Sequence, residues 1–124
     1  MSTIRGQQGY VLGAIRRAER PLSADEVREL LRNSGIGLAT VYRAVKRGVA
    51  EGVLRAIHLG SGGARYEPAN LGHHHHFECD RCKRVFCVKG CPRGLNKLVP
   101  LGFEFRSHDI VLGGLCKHCK EAVA

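Results

Sequence analysis

Two pairs of thiols carry the strongest chemical signal in the chain, Cys79-x-x-Cys82 and Cys116-x-x-Cys119. Each spacing fits a tight turn that presents two thiolates to one point. Two such turns complete the tetrahedral four-sulfur shell that zinc takes at about 2.3 Å per bond. A closed shell of this kind leaves no open coordination position, so it is structural rather than catalytic. Directly upstream runs His73-His-His-His76. In extended backbone, alternate side chains face opposite sides, which sets His74 and His76 on one face and His73 and His75 on the other. One histidine run can therefore feed two separate metal sites. Glu67, Cys87, Cys91, His58 and His108 are the remaining ligand types nearby. Cys87 lies in the apolar run Val85-Phe-Cys-Val88 and reads equally as a ligand or as a buried, inert thiol.

The chain that must position these groups has 124 residues, room for one ordinary domain or two small ones, and small domains bury too little surface to be comfortable without a metal or a partner subunit. It carries 20 Lys+Arg against 11 Asp+Glu, a formal net charge of +9. Such a balance favours a polyanionic partner, nucleic acid before an anionic membrane. Through Arg65 there are 11 basic and 5 acidic residues, and from Tyr66 onward 9 and 6, so the first half is the expected nucleic-acid face. No apolar run approaches the roughly 20 residues that span a bilayer, and the N-terminus has no signal-peptide core. A soluble, cytosolic protein is expected, in which thiols stay reduced and metal ligation is favoured over two disulfides or a redox pair.

Val11, Leu12, Ile15 and Ala18 recur at helical spacing from Tyr10 to Ala18, and Pro21 ends the pattern. Ser23 followed by Glu26 is a capping-box signature ahead of Val27, Leu30 and Leu31, and Gly35 closes a second helix about three turns long. Leu38, Val41, Val45 and Val49 then form an apolar stripe that leaves Thr40, Tyr42, Arg43, Lys46 and Arg47 on the other side. Val53 to Leu59 and Ala64 to Glu67 are short extended segments around Gly60-Ser-Gly-Gly63, a hairpin-turn composition. Three helices and a hairpin give the winged-helix order, in which the second helix of the helix-turn-helix pair enters the major groove. Arg43 can pair with guanine, Tyr42 can meet a thymine methyl or a phosphate, and Lys46 and Arg47 add salt-dependent phosphate contacts.

The second part offers strand-like Val85 to Val88 and Phe103 to Leu112, with Pro92 to Val99 as a short helix between them. The expected class is α+β: a winged helix-turn-helix over residues 1–68, a hinge at 69–72, and a small α/β metal-binding dimerisation domain over 73–124 that holds the four-cysteine zinc site.

The chain resembles the ferric uptake regulator superfamily of bacterial metalloregulators across nearly its whole length. The matching residues are Leu22-Ser-Ala-Asp-Glu-Val27, Gly37-Leu-Ala-Thr-Val-Tyr-Arg43, Tyr66-Glu67, His73 to Phe77, Gly102-Phe103, His108 and the two Cys-x-x-Cys pairs. The resemblance implies a homodimer that, once loaded with a regulatory metal, closes its winged-helix heads on a palindromic A/T-rich operator and represses transcription. By position it assigns Glu67, His74 and His76 to the sensory site, His73, His75 and His108 to a peripheral site, and Cys79, Cys82, Cys116 and Cys119 to structural zinc.

The departures from the family pattern are informative. A histidine common in iron and peroxide sensors just before the second helix is replaced by Pro21 and Leu22, so the sensory site lacks a usual ligand, and His58, on the wing, and Cys87 are the two candidates to take its place. The position of Cys87 usually carries a carboxylate in iron and peroxide members, and thiolate there favours zinc over iron or manganese. Cys91 falls near an acidic peripheral-site residue of the family, and the usual Gln-Arg of the first helix reads Gln7-Gln8. The expected protein is a zinc-responsive repressor of metal uptake genes, with double-stranded operator DNA as partner and no small-molecule substrate. An iron or peroxide sensor of the same family, or a constitutive zinc-ribbon nucleic-acid-binding module, is the alternative. A metal-dependent hydrolase is disfavoured because no general base or substrate pocket is apparent.

Overall fold

A computed structural model of the chain describes residues 4–59 and 63–123. The first half runs α1 (Ile4–Ala18), α2 (Ala24–Leu30), a 3-10 turn (Arg32–Ser34), α3 (Leu38–Ala50), β1 (Leu54–His58) and β2 (Ala64–Pro68). β1 and β2 pair antiparallel, Arg55 opposite Glu67 and His58 opposite Ala64. This is a winged helix-turn-helix. The hairpin tip expected at Gly60-Ser-Gly-Gly63 lies, at positions 60–62, outside the described residues.

Local chemistry accounts for these elements. Ser23 Oγ accepts from the Glu26 amide at 3.1 Å while the Glu26 carboxylate accepts from the Ser23 amide at 2.9 Å, a complete capping box at the start of α2. α2 is shorter than expected, because the chain tightens into the 3-10 turn after Leu31, and Gly35 then ends the segment at φ 74°, a left-handed conformation natural to glycine. In α3 the buried positions are Val41, Ala44, Val45 and Gly48, whereas Val49, expected on the apolar stripe, is exposed. Measured round the helix from Val41, Gly48 and Val45 stand within about 40° and Val49 at about 80°, so Val49 falls at the margin of the buried face. Gly48 has a packing reason as well. A Cβ there would stand 2.7 Å from Leu54 Cδ1, so a bare backbone lets α3 lie close against β1.

Val11, Ala14, Ile15, Leu22, Val27, Val41, Val45 and Leu54 form the core of this half. Leu22, fully buried, also exchanges two backbone hydrogen bonds with Tyr66 at 3.0 and 2.8 Å, which ties the loop after α1 to the wing.

The second half has a three-stranded sheet in the order β4-β3-β5, built from β3 (His75–Cys79), β4 (Val85–Val88) and β5 (Val111–Gly114), with a closing helix α4 (Lys117–Val123). β3 runs antiparallel to β4 and parallel to β5. Two expectations are corrected here. The strand expected over Phe103 to Leu112 is confined to Val111–Gly114, and residues 103–110 have no regular structure. The helix expected over Pro92 to Val99 is a single 3-10 turn, Leu95–Leu98. Alternating apolar residues in the 101–112 stretch read as a strand, yet Leu101, Phe103, Phe105, Val111 and Leu112 all point outward. β5 is an edge strand, so an exposed apolar surface adjoins an unpaired edge. No helix among the described residues is long and apolar enough to cross a membrane.

The Leu22→Ala variant leaves a cavity in the first core and should lose about 3 kcal/mol. Chemical denaturation would register this as a lower midpoint at unchanged slope, with metal content unaltered.

Candidate metal centres

Three clusters of ligand-type side chains lie among the described residues. The first joins Cys79 at the end of β3, Cys82 in the turn after it, and Cys116 and Cys119 around the start of α4. All six cysteines of the chain are free thiols. Cys82 and Cys116 sulfurs are 3.9 Å apart, close to the edge of about 3.8 Å that a tetrahedron with 2.3 Å zinc–sulfur bonds requires. Backbone amides point at the sulfurs: Cys116 and Cys82 at Cys79 Sγ (3.4 and 3.5 Å), and Cys119 at Cys116 Sγ (3.5 Å). The Cys116 amide is the main reason the Cys79 thiol falls to about 6. Burial pushes Cys119 up to about 12, since four thiols in one dry pocket cannot all ionise unless a cation joins them. The donor set fits structural zinc.

The second cluster is Glu67, His74, His76 and Cys87, with ligand atoms within 4.8 Å of one another. Strand register explains it. His76 stands opposite Cys87 across β3 and β4, His74 precedes it by two residues, and Glu67 reaches in from β2 of the wing. His74 and His76 both meet Glu67 Oε1 through Nε2, at 3.0 and 2.9 Å. Nδ1 of His74 donates to the Gly72 carbonyl at 2.8 Å, which leaves Nε2 as the nitrogen able to offer a lone pair. His76 Nδ1 is buried without a hydrogen-bond partner.

Glu67 is fully buried. Burial pushes its pKa up, but hydrogen bonds from His76, His74 and Arg55 outweigh that and hold the carboxyl below its ordinary range. Burial and the Glu67 charge push the Cys87 thiol up. Two imidazoles, a thiol and a carboxylate around one point suit a divalent cation.

His58 is not part of this cluster. Arg55 faces Glu67 directly across the hairpin, and His58, an odd three residues along β1, points from the opposite side of the ribbon. Of the two alternatives for completing the set, the structure brings Cys87 and not His58. Arg55 is the residue that sequence reasoning missed. Its Nε stands 3.1 Å from Glu67 Oε2 and its Nη2 3.5 Å from His74 Nε2. The one-to-one register of a short hairpin was its only signal.

The third cluster is His73, His75, Cys91 and His108. His108 Nε2 lies 3.1 Å from His73 Nε2 and 2.9 Å from Cys91 Sγ. His75 is pushed toward the neutral form by burial and by His73 and His108. Its Nδ1 accepts from the Ile110 amide at 3.1 Å, so the neutral ring carries its proton on Nε2, which is buried with no hydrogen-bond partner.

On α3, Tyr42, Arg43, Lys46 and Arg47 are exposed and Thr40 is half-buried. Arg43 Nη2 donates to Thr40 Oγ1 at 3.0 Å, and Arg47 pairs with Glu51 at 3.1 Å. Gln8 is turned inward onto the other oxygen of Glu51, 3.1 Å away, so its amide secures α1 to the end of α3.

A model of the ferric uptake regulator family matches residues 6–112. The ferric uptake regulation protein of Bordetella parapertussis is 33% identical over 117 residues, covering 90% of this chain and 84% of that protein. Among solved structures, the Helicobacter pylori ferric uptake regulator, described as having three functional metal binding sites, superposes with a TM-score of 0.72 at 23% identity, covering 97% of this chain and 82% of that one. FurB of M. tuberculosis, a zinc uptake regulator, gives a TM-score of 0.52 at 27% identity, with 94% of each chain covered.

Because the folded Glu67 carboxyl titrates below its unfolded value, its contribution to stability is present above the ordinary Glu range near pH 4.3 and fades as pH falls through the lower folded value. Glu67→Gln should therefore cost on the order of 2 kcal/mol near neutrality. Paired melting curves from pH 7 down to pH 3 should show the gap to wild type closing only in the acid limb.

Proposed function

The chain belongs to the ferric uptake regulator family of transcription regulators, and from that premise we propose that it is a zinc-responsive, DNA-binding repressor of metal uptake genes. The observation that carries the reading is the second cluster. Its carboxylate comes from the wing and its two imidazoles and thiol from the other sheet. Bound there, a divalent cation supplies charge that ties both halves together at once. Glu67, His74, His76 and Cys87 can all act as ligands only when the wing lies against β3 and β4, so that arrangement gains stability in proportion to its higher metal affinity.

Zinc is favoured by the donors. One thiolate, two imidazoles and a carboxylate make a four-coordinate set softer than iron or manganese prefers. In the loop before α2, Leu22 is sealed in the core and bonded to Tyr66, so that position offers no ligand. Cys79, Cys82, Cys116 and Cys119 serve as the structural zinc site, and His73, His75, Cys91 and His108 as a peripheral one.

Residues 1–68 form the DNA-binding domain, 69–72 the hinge, and 73–124 the dimerisation domain. Thr40, Tyr42, Arg43, Lys46 and Arg47 face double-stranded operator DNA, and the +9 net charge supports that partner. The open β5 edge with its apolar surroundings supports a homodimer. The protein acts in the cytoplasm and is not an enzyme.

His76→Ala removes one of these ligands while leaving the four-cysteine centre intact. Elemental analysis should find the exchangeable zinc gone and the tightly held zinc retained. Anisotropy with DNA selected by the zinc-loaded protein should lose the zinc-dependent gain in affinity, a coupling of about 5- to 150-fold. Full zinc response in this variant sinks the assignment, and a response to ferrous iron or manganese but not to zinc in the wild type turns the reading to an iron or manganese regulator.

A further inference from the structure

The wing carries a cation that competes for the second cluster. Arg55 and Glu67 are cross-strand partners on β1 and β2. The guanidinium sets both Nε and Nη2 on Glu67 Oε2, with Nη2 also 3.5 Å from His74 Nε2. His76 Nε2 takes Glu67 Oε1 at 2.9 Å, and His74 Nε2 lies between the two oxygens, 3.0 Å from Oε1 and 2.9 Å from Oε2. Every acceptor position of the buried carboxylate is thus engaged, and the groups engaging it differ in one chemical respect. His74 and His76 can each give up an Nε2 proton and turn a lone pair toward a cation, whereas an arginine side chain has no lone pair to offer and keeps its charge across the accessible pH range.

We propose that Arg55 is an internal competitor for the regulatory metal: in the metal-free protein its guanidinium neutralises Glu67, and a divalent cation is admitted only as Arg55 withdraws. This rests on the reading of Glu67, His74, His76 and Cys87 as the regulatory site. The exposures suit an exchange of this kind. The Arg55 side chain is 49% exposed while that of Glu67 is 1% exposed, so the arginine has a route to water and the carboxylate has none. Leaving Arg55 in place beside a divalent ion would set like charges against each other in a partly dry site. Removing Arg55 strips the metal-free state of the partner of its buried carboxylate, which destabilises the empty site relative to the filled one. Arg55 is therefore a positioning residue that sets the metal concentration at which the site fills.

The test is a chelator-competition titration of zinc on full-length wild type, Arg55→Gln and His76→Ala, each retaining its four-cysteine zinc. Arg55→Gln should bind the exchangeable zinc about tenfold more tightly, the equivalent of about 1.4 kcal/mol. Affinity unchanged or weakened in Arg55→Gln overturns the proposal, the weakened case meaning that Arg55 instead orients Glu67 for binding. His76→Ala separates this from the underlying reading: if it keeps the exchangeable zinc, the regulatory site has been misassigned. A second measurement needs no variant at Arg55. In nitrogen-15 spectra of the wild type, the Arg55 Nε–H resonance should be protected from water in the metal-free protein and move to the position of a solvated arginine as the exchangeable zinc is added. A resonance that stays protected through saturation overturns the competition.

Discussion

A carboxylate that folding removes completely from water has to be answered by positive or hydrogen-bonding groups, and Glu67 imposes that demand on both halves of the molecule. The wing answers from its own neighbouring strand with Arg55, and β3 answers with His74 and His76. The consequence is that the joint between the halves is polar. An apolar seam would hold one arrangement regardless of conditions, whereas a charged joint changes strength with whatever ion occupies it. A joint of this kind is costly to build, and its strength depends on the charges placed around it.

The four-cysteine cluster solves a different problem. β5 reaches β3 in parallel only after the long excursion from residue 89 to residue 110, most of it without regular structure. Little apolar surface is buried in that half, where the sulfurs, Val85 and part of Phe86 are the interior. Sulfur ligands at both ends of the excursion, Cys79 and Cys82 before it and Cys116 and Cys119 after it, close the loop in place of a hydrophobic core.

The sequence was most legible where a short-range rule decides the outcome. The capping box at Ser23, the alternation through His73 to His76, and the two thiol pairs each depend on neighbours within a few residues. It was least legible where distant pairing decides. The choice between His58 and Cys87 turned on register: Cys87 stands opposite His76 on β4, while His58 is on the wrong side of β1. The stretch from Phe103 misled because apolar residues that face outward carry the same pattern as a half-buried strand. The closing helix Lys117–Val123 went unnoticed, for its seven residues hold too few apolar positions to show a period, and the anchoring of Cys116 and Cys119 takes the place of a packed face.

Arg65 adds one more tie. Its side chain, buried at 5% exposure, donates from β2 to the carbonyl of Lys83, a residue held at φ 64° at the end of the Cys79 to Cys82 turn, and it also lies 3.9 Å from Glu26 of α2. The winged half is thus fastened to the second half at a contact distinct from the chain connection at residues 69–72. Arg65 thereby joins three elements through one guanidinium: β2 that bears it, α2 through Glu26, and the turn that carries Cys79 and Cys82, so a change of shape in that turn is felt directly by the winged half.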